Sequence, residues 1–469
     1  MMKFFLTMLL AAFFVSCDLL LDSEPPLEPD QFYAVDFTKN DFYKVRAKIL
    51  AEGENCVIWA ENSSGVTNAT AKNIADKYDN EIRSKIVNAF GMKNISVQDE
   101  PASFNDILDY ANWLAGKDDR KLTILLLDIK DGFKNPKTDP YTAGYFYSGN
   151  FYPRNSNSSN GCDMIYVDTN PGLALAPDQT YATFAHELQH LINFATTTLK
   201  RKRAMDTWID EGLSSQAEHI YNGEYVPERL NWFINDKNGT IAKGNNFFVW
   251  DNHREEPNAI LDEYSTVYLF FRWLYLQADN NLKSTIFIDI ETSDLSDHRI
   301  ITNVAKNISS EWDDWDTLLS SWLAANYYPA NTVYGYKDSD FQQKYKFKVK
   351  PINEKKIDLY PGEGVYSVIK DPFTPTGYGT NIRYAGIGSD SPDINTVPPY
   401  TSNVLLTFNA NTNKSATPET AALTGVSASV FSAPNSRMAV EAEAAQTETP
   451  AGPYVIDARD ISGILGRNK

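Results

Sequence analysis

The stretch from Tyr181 to Ile220, which contains the pattern His-Glu-x-x-His, restricts the fold of this chain more than any other feature. Its first twenty residues contain no Gly or Pro, and their apolar side chains recur at helical spacing, so the stretch is predicted to begin with an α-helix. Residues four apart lie nearly one above the other on a helix, and His186 and His190 are therefore expected to converge on one ion. Glu187 lies at the edge of the same site, where it is placed to take a proton from a metal-bound water.

A catalytic zinc ion also needs a third protein ligand and an open position for water. Twenty residues separate His190 from Glu211, which is enough for the first helix to end and for a second helix to return a carboxylate to the site. Glu211 is therefore predicted as the third ligand of one zinc ion per chain. Glu218 lies seven residues further along the same face of that second helix, and it is predicted to orient a histidine ligand through its ring N–H.

The alternative to a metal site is simple packing, because a His–Glu pair in a helix is most often a surface or core feature. The chain has only five His, and two of them lie four apart around a Glu on a helical pattern. By composition alone this coincidence is expected in fewer than about one sequence in a hundred. The pattern therefore favours a zinc peptidase.

The pairing of HELQH with the downstream WIDEGLSSQAE resembles the gluzincins, which are peptidases with two His and a distal Glu on zinc. More closely, it resembles the hyicolysin family of bacterial metallopeptidases. Further matches are the segment from Ser159 to Asp168 and the predicted helix from Tyr264 to Leu276, and the resemblance spans roughly Phe32 to Tyr328. Ser215 stands where thermolysin-type enzymes carry Asp, which argues against thermolysin itself. The resemblance implies an α+β zincin catalytic domain in which a sheet is followed by the zinc helix.

The resemblance to gluzincins also implies a residue that stabilises the oxyanion formed when water attacks the scissile carbonyl. In the aminopeptidase branch, a helix after the zinc pair begins with Tyr and continues into apolar residues, as the predicted helix at Tyr264 does. Tyr264 is therefore predicted for this role, and the alternative is that it packs like the other tyrosines of the chain. His253 and His219 are further candidates, although a His in a loop is more often simply solvated.

Residues 1–17 resemble a bacterial lipoprotein signal, with a weakly basic start and an apolar run from Phe4 to Val15 that is too short to span a bilayer. A small residue then precedes Cys17, which is predicted to be lipidated and to anchor an exported protein to a membrane of the cell envelope. Phe14 stands where such signals usually carry Leu or another aliphatic residue, so an ordinary secretory signal is the alternative. Residues 18–30 are predicted to be a Pro-rich, acidic tether.

Charge and cysteine content narrow the possible partners and the compartment. The net charge of -18 and the pI near 4.8 argue against nucleic acid as a partner, because phosphate binding needs a basic surface. Cys56 and Cys162 could form one disulfide in an oxidising compartment or remain two buried thiols. The sequence gives no oligomeric state.

The chain is predicted to divide near residue 340. A catalytic unit is expected over residues 31–335, with a β-containing N-terminal part (31–175) and a helical part that carries the zinc site (176–335). Residues 341–469 are predicted to form a small β-rich accessory domain with low-complexity stretches and no catalytic role. The individual elements expected are a β-rich start over Phe32–Ile58, helices at Ala71–Phe90, Phe104–Leu114, Glu263–Leu276 and Trp312–Tyr328, and strands at Leu122–Ile129, Gly144–Phe146, Met164–Val167, Tyr345–Val349 and Val404–Phe408.

Together these patterns predict a secreted or surface-anchored zinc endopeptidase that cleaves proteins or peptides, with Glu187 as general base. One alternative is a binding lipoprotein, an adhesin or scaffold that kept a peptidase fold and lost the chemistry. Such a protein would usually lack Glu187 or a ligand, and all four residues are present here. The other alternative is a zinc aminopeptidase, which normally carries a GxMEN-type motif upstream that this sequence lacks.

Overall fold

A computed structural model of the chain describes residues 26–91, 121–135, 141–152, 154, 158–237, 239–244, 247–250, 260–327, 332–339, 341, 349–388, 394–423 and 455–458. Within these residues the strands are β1 (Gln31–Asp36), β2 (Asp41–Glu52), β3 (Cys56–Glu61), β4 (Leu122–Leu127), β5 (Tyr141–Phe146), β6 (Met164–Asp168), β7 (Lys356–Leu359), β8 (Gly364–Val368), β9 (Ile382–Ile387), β10 (Ile394–Asn395), β11 (Val404–Asn409), β12 (Glu419–Ala422) and β13 (Val455–Ala458). The α-helices are α1 (Asn68–Lys77), α2 (Arg83–Phe90), α3 (Pro177–Asn193), α4 (Thr207–Asn222), α5 (Pro227–Asn235), α6 (Thr240–Lys243), α7 (Ile260–Gln277), α8 (Asn280–Lys283), α9 (Ile286–Glu291), α10 (His298–Ile308) and α11 (Trp315–Tyr327).

A seven-stranded mixed sheet, in the order β1-β2-β3-β4-β6-β5-β13, combines the six strands of the N-terminal part with β13 from residues 455–458. Its centre is parallel, with β4 between β3 and β6, whereas β5 runs antiparallel to β6 and pairs on its other side with β13. The near-continuous apolar sequence of β4, LTILLL, suits a central parallel strand that is covered on both faces. Ile124 and Leu126 face the helices, and Leu125 and Leu127 belong to a second, smaller core on the opposite face.

The helices α3, α4 and α7 pack together beside this sheet and position the site. Pro177 at the start of α3 fits the first helical turn, where its missing N–H would have no partner in any case. From Ala182 to Asn193 every residue of α3 is buried, so this helix lies inside the protein. Helix α4 packs against both α3 and α7, and it ends at Gly223, whose φ of 73° is the left-handed conformation common at helix ends.

The C-terminal part contains a four-stranded antiparallel sheet, β10-β9-β11-β8, and a two-stranded sheet, β12-β7. One face of the larger sheet, including Leu406 and Phe408, is buried in the same core as helices α3, α4 and α7. Tyr366 on β8 stacks on Tyr327 of α11 with ring centroids 5.2 Å apart, and it donates a hydrogen bond to the carbonyl of Leu323. The C-terminal sheet is therefore packed on α11.

Most of the predicted elements that can be compared with the structure are present. The helix predicted over Ala71–Phe90 consists of α1 and α2 joined by one wider turn, and it ends at Gly91 with a φ of 85°. The predicted helices at Glu263–Leu276 and Trp312–Tyr328 correspond to α7 and α11. The predicted strands at 122–129, 144–146, 164–167 and 404–408 correspond to β4, β5, β6 and β11, and β1 to β3 form the predicted β-rich start. The helix predicted at 104–114 lies outside the described residues, as does the strand at 345–349 except for its last residue.

Cys56 and Cys162 are not joined by a disulfide. Cys56 belongs to the main core, whereas Cys162 packs against the core on the opposite face of the large sheet. The structure therefore has two separate thiols, of which Cys56 is buried as the second alternative expected and Cys162 is only partly buried. None of the helices in the described ranges is long and apolar enough to cross a membrane.

Candidate metal centre

Three side chains that could hold a metal ion meet between α3 and α4. His186 and His190 lie on α3 and Glu211 lies on α4, and each of the three is at most 1% exposed. The two Nε2 atoms of the histidines are 3.1 Å apart, and each lies 3.5 Å from Oε2 of Glu211. The structure thus brings together the three residues that were predicted as ligands.

The spacing of these atoms fits a tetrahedral zinc ion. With metal–ligand distances of about 2.0–2.1 Å, two ligand atoms of a tetrahedral site lie about 3.3–3.4 Å apart, which is close to the three distances above. The Nδ1 atoms of both histidines face carboxylates, so neutral imidazoles at these positions would carry their protons on Nδ1 and present the lone pairs of the two Nε2 atoms to one another. Two acceptors 3.1 Å apart repel each other unless a cation lies between them.

The carboxylate of Glu211 gives a second indication of a cation. Its Oε2 atom is buried and accepts no hydrogen bond from the described part of the chain, and the two Nε2 atoms face it at 3.5 Å, so a cation between them would compensate its charge. Two imidazole nitrogens and one carboxylate oxygen are a donor set that suits zinc and leaves a fourth position open. The residues present therefore fit a catalytic zinc ion.

Glu218 holds the imidazole of His186. Nδ1 of His186 donates to Oε1 of Glu218 over 2.8 Å, and the same oxygen accepts a hydrogen bond of 3.0 Å from Nη2 of Arg229. Burial by itself would raise the pKa of Glu218, but the charge of Arg229 and the bond from His186 outweigh it and hold this pKa below its ordinary value. Glu218 is therefore ionised, and it lies where the helical spacing predicted.

His190 is held by a different pair of groups, which the sequence reasoning did not single out. Its Nδ1 atom lies 3.0 Å from Oδ1 of Asp210 and 3.0 Å from Oγ of Ser214. Asp210 also accepts a short hydrogen bond from the side-chain amide of Asn193. The sequence does contain an indication of these contacts, because Asp210 directly precedes the ligand Glu211 and Ser214 lies four residues after Asp210, on the same face of the helix. Hydrogen bonds of this kind fix the tautomer and the plane of a ligand imidazole.

The acidic groups around the histidines favour positive charge at the site. Burial would lower the pKa of His190, but Asp210 and Glu211 outweigh this effect and raise it well above its ordinary value. Burial would likewise raise the pKa of Glu211, but the two histidines lower it to about 2. Either a proton or a metal ion would compensate the negative charge of these carboxylates. Because three donor atoms converge on one point, a metal ion is favoured.

Strand β5 of the large sheet passes directly beside Glu187, which is fully buried next to His186. A Cβ atom on Gly144 of β5 would lie 2.7 Å from Cγ2 of Thr183 and 3.2 Å from Cγ of Glu187. Only a residue without a side chain lets the strand approach α3 so closely.

A second glycine allows α4 to approach α7. A Cβ atom on Gly212 would lie 2.2 Å from two ring atoms of Phe271 and 3.0 Å from Val267. Because Gly212 directly follows Glu211, this close packing fixes the turn of α4 that carries the third ligand. In the Glu-Gly pair, Glu211 is therefore the predicted metal ligand and Gly212 allows the close contact between α4 and α7.

Tyr264, the residue predicted to stabilise the oxyanion, is fully buried on α7. The guanidinium of Arg229 lies 4.6 Å from the centre of its ring, and Trp250 packs edge-on against it at 5.2 Å. Through Arg229, Tyr264 is linked to Glu218 and so to the ligand His186. Its role in catalysis remains a prediction.

The other two histidine candidates are not part of this cluster. Nδ1 of His219 lies 3.1 Å from the hydroxyl of Tyr268, and its ring packs edge-on against Tyr225. Burial lowers the pKa of His219 to about 3, so this imidazole is neutral and engaged in packing. His253 lies outside the described residues.

Fold and site together define an α+β protein with a buried His-His-Glu cluster that could bind a metal ion. A scan against models of known protein families gives no match. Over 259 residues the chain is 31% identical to the neutral metalloprotease ShpI of Staphylococcus hyicus, which corresponds to 54% of this chain and 52% of that protein. The chain thus spans about half the length of this curated relative. The similarity supports a relationship to metalloproteases, and the cluster supplies the residues such an enzyme needs.

Proposed function

We propose that the protein is a zinc-dependent endopeptidase of the hyicolysin type that cleaves peptide bonds in proteins. The observation that carries the proposal is the geometry of His186, His190 and Glu211, whose donor atoms lie 3.1–3.5 Å apart with both imidazoles held by carboxylates. The similarity to a neutral metalloprotease supports a protease, and the motif places Glu187 directly beside the ligands. The fold would be that of a zincin catalytic domain.

His186, His190 and Glu211 would hold the zinc ion, which when bound would supply Lewis acidity toward the scissile carbonyl and toward water. Glu187 accepts a proton from the attacking water and then passes it to the leaving amine. Tyr264 donates a hydrogen bond to the oxyanion that forms on the former carbonyl. Glu218 and Asp210 keep the two imidazoles in the tautomer that binds metal.

We further propose that the enzyme is exported and held at the cell envelope by a lipid on Cys17. The support for this proposal is the sequence of residues 1–17, in which a short apolar run precedes a small residue and a Cys. A tether over residues 18–30 would then separate the catalytic unit from the membrane. The substrates would be proteins or peptides that reach this compartment.

The decisive test is Glu187→Gln, which keeps the shape of the side chain but cannot accept a proton. The variant is expected to fold and bind one equivalent of zinc while losing peptide hydrolysis by at least about a hundredfold. Zinc content and cleavage of casein, with and without a chelator, measure the two properties separately. Glu224→Gln, at an exposed position beyond the end of α4, is the matched control and should behave as wild type.

Three results would contradict parts of the proposal. Equal hydrolysis by Glu187→Gln and wild type would exclude Glu187 as general base. Wild-type protein that holds a full equivalent of zinc but cleaves no unfolded protein or peptide library would favour a binding lipoprotein. Release of single N-terminal residues, without internal cleavage, would favour an aminopeptidase.

A further inference from the structure

Arg229, on the first turns of α5, is in contact with two separate parts of the candidate site. The residue is 6% exposed, and it reaches both the carboxylate behind a metal ligand and the ring of Tyr264. We propose that Arg229 is a positioning residue that fixes His186 and Tyr264 relative to each other. This inference rests on the proposed function, in which His186 binds zinc and Tyr264 assists the reaction.

The first contact runs through Glu218. A single oxygen, Oε1 of Glu218, accepts the hydrogen bond from Nη2 of Arg229 at 3.0 Å and the bond from Nδ1 of His186 at 2.8 Å. The carboxylate is thus held between a cation and the ligand imidazole. Loss of the Arg229 guanidinium would leave the buried negative charge of Glu218 without a compensating cation, which is strongly unfavourable. Glu218 would then be free to turn, and His186 would lose its fixed orientation.

The second contact is with the aromatic ring of Tyr264. The guanidinium carbon of Arg229 lies 4.6 Å from the ring centroid, within the range of a cation–π interaction. Trp250 packs edge-on against the same ring at 5.2 Å, so the ring is held between two neighbours. A planar guanidinium can stack on an aromatic ring while it donates hydrogen bonds in its own plane. The ammonium group of a lysine cannot make both contacts in this way.

The backbone around Arg229 is itself fixed. Pro227 begins α5, and the N–H of Val226 just before it donates to the hydroxyl of Tyr268 on α7 at 3.1 Å. The start of α5 is therefore tied to the helix that carries Tyr264. Arg229 thus has a rigid base from which its side chain connects α4, through Glu218, to α7, through Tyr264.

The test compares Arg229→Met and Arg229→Lys with wild type. Arg229→Met is expected to weaken zinc binding about tenfold and to lower kcat about tenfold with little change in KM, the size of effect known for groups that orient metal ligands. Arg229→Lys keeps the charge beside Glu218 and should recover most of the zinc affinity, but not kcat, because it cannot stack in the same way. Zinc affinity is measured by competition with a chromophoric chelator, which requires no catalysis.

Arg272→Met is the matched control. Arg272 lies on α7 and stacks on Tyr225 and Tyr275 at 5.5 Å and 4.8 Å, so the variant removes the same kind of contact without touching a metal ligand. We expect wild-type zinc affinity and kcat from it. In a double variant, Arg229→Met with Tyr264→Phe, the fold-reduction in kcat should be smaller than the product of the fold-reductions in the two single variants. The reason is that both substitutions act through the ring of Tyr264.

Two outcomes would overturn the inference. One is an Arg229→Met protein with wild-type zinc affinity, and the other is a double variant whose losses in kcat multiply independently. If Arg229→Met does not fold, Arg229→Lys decides, because wild-type kcat in that variant would refute the positioning of Tyr264. The zinc measurement stays informative even if the wild-type protein hydrolyses no peptide, so failure of the inference is distinguishable from failure of the proposed function.

Discussion

Replacement of Gly144 by Ala tests whether the close approach of β5 to α3 positions Glu187. The new Cβ atom would lie 2.7 Å from Cγ2 of Thr183, 2.8 Å from the carbonyl oxygen of Tyr166 and 3.2 Å from Cγ of Glu187. Carbon atoms in contact prefer a separation of about 3.5 Å, so strand and helix must separate by about 0.8 Å. Tyr166 lies on β6, which is paired with β4 on one side and β5 on the other, so its carbonyl has little freedom to move. We therefore expect α3 to move and to take Glu187 with it.

The size of the expected effect follows from two quantities. Forcing one additional carbon into a packed interior costs about 1–3 kcal/mol of folding free energy. A displacement of about 1 Å at a catalytic group can cost about a hundredfold in rate. We therefore expect Gly144→Ala to lower kcat by roughly tenfold to a hundredfold. Zinc binding should fall by less, because the atoms nearest to the new Cβ atom belong to Thr183, Tyr166 and Glu187 and to none of the ligands.

The assay is hydrolysis of a quenched fluorescent peptide, together with zinc content and urea unfolding of the same samples. Gly364→Ala is the matched control, because its Cβ atom would lie 2.6 Å from a methyl group of Leu323 on α11, in a similar strand-to-helix contact whose nearest atoms include none of the metal cluster. It should lose some stability and keep its kcat. Full activity in Gly144→Ala, or an equal loss of kcat in Gly364→Ala, would refute the reasoning.

Further predictions concern the support of the ligands, the C-terminal sheet, the metal and the membrane anchor. Glu218→Gln should weaken zinc binding roughly tenfold to a hundredfold, and unchanged affinity in a competition titration would contradict its role. Removal of all residues after Asp340 should leave the zinc ligands in place but lower the melting temperature, because it exposes the face of α11 that β8 and β11 cover. A truncated protein that folds but binds no zinc would contradict this expectation. Removal of zinc from the wild type by a chelator should reduce its resistance to urea. A ligand present at about a thousand times its Kd adds about 4 kcal/mol to the free energy of unfolding, and an unchanged urea unfolding transition would therefore exclude a bound metal. Cys17→Ser should be released or misprocessed, whereas a native protein whose unmodified N-terminus lies beyond Cys17, as seen by mass spectrometry, would exclude the lipid anchor.

Local periodicity was sufficient to predict the main parts of the site. The spacing of His186 and His190 places both imidazoles on one face of a helix, and this geometry needs no knowledge of the rest of the chain. The same reasoning placed Glu218 one layer behind the ligands, where the structure has it at 2.8 Å from His186. The long helix α7 and the central strand β4 were likewise predictable, because each has an apolar pattern that is strong over its own length.

Contacts between segments distant in sequence required the tertiary structure. Arg229 reaches both Glu218 and Tyr264 because α4, α5 and α7 meet at one point, and nothing in the residues around position 229 indicates this. Gly144 lies against Glu187 only because β5 and α3 pack together. The sequence predicted a small β-rich accessory domain after residue 340, but it could not show that the face of its sheet with Leu406 and Phe408 lies in the same core as the helices. Periodicity shows which face of an element is apolar, but the partner of that face depends on how the whole chain packs.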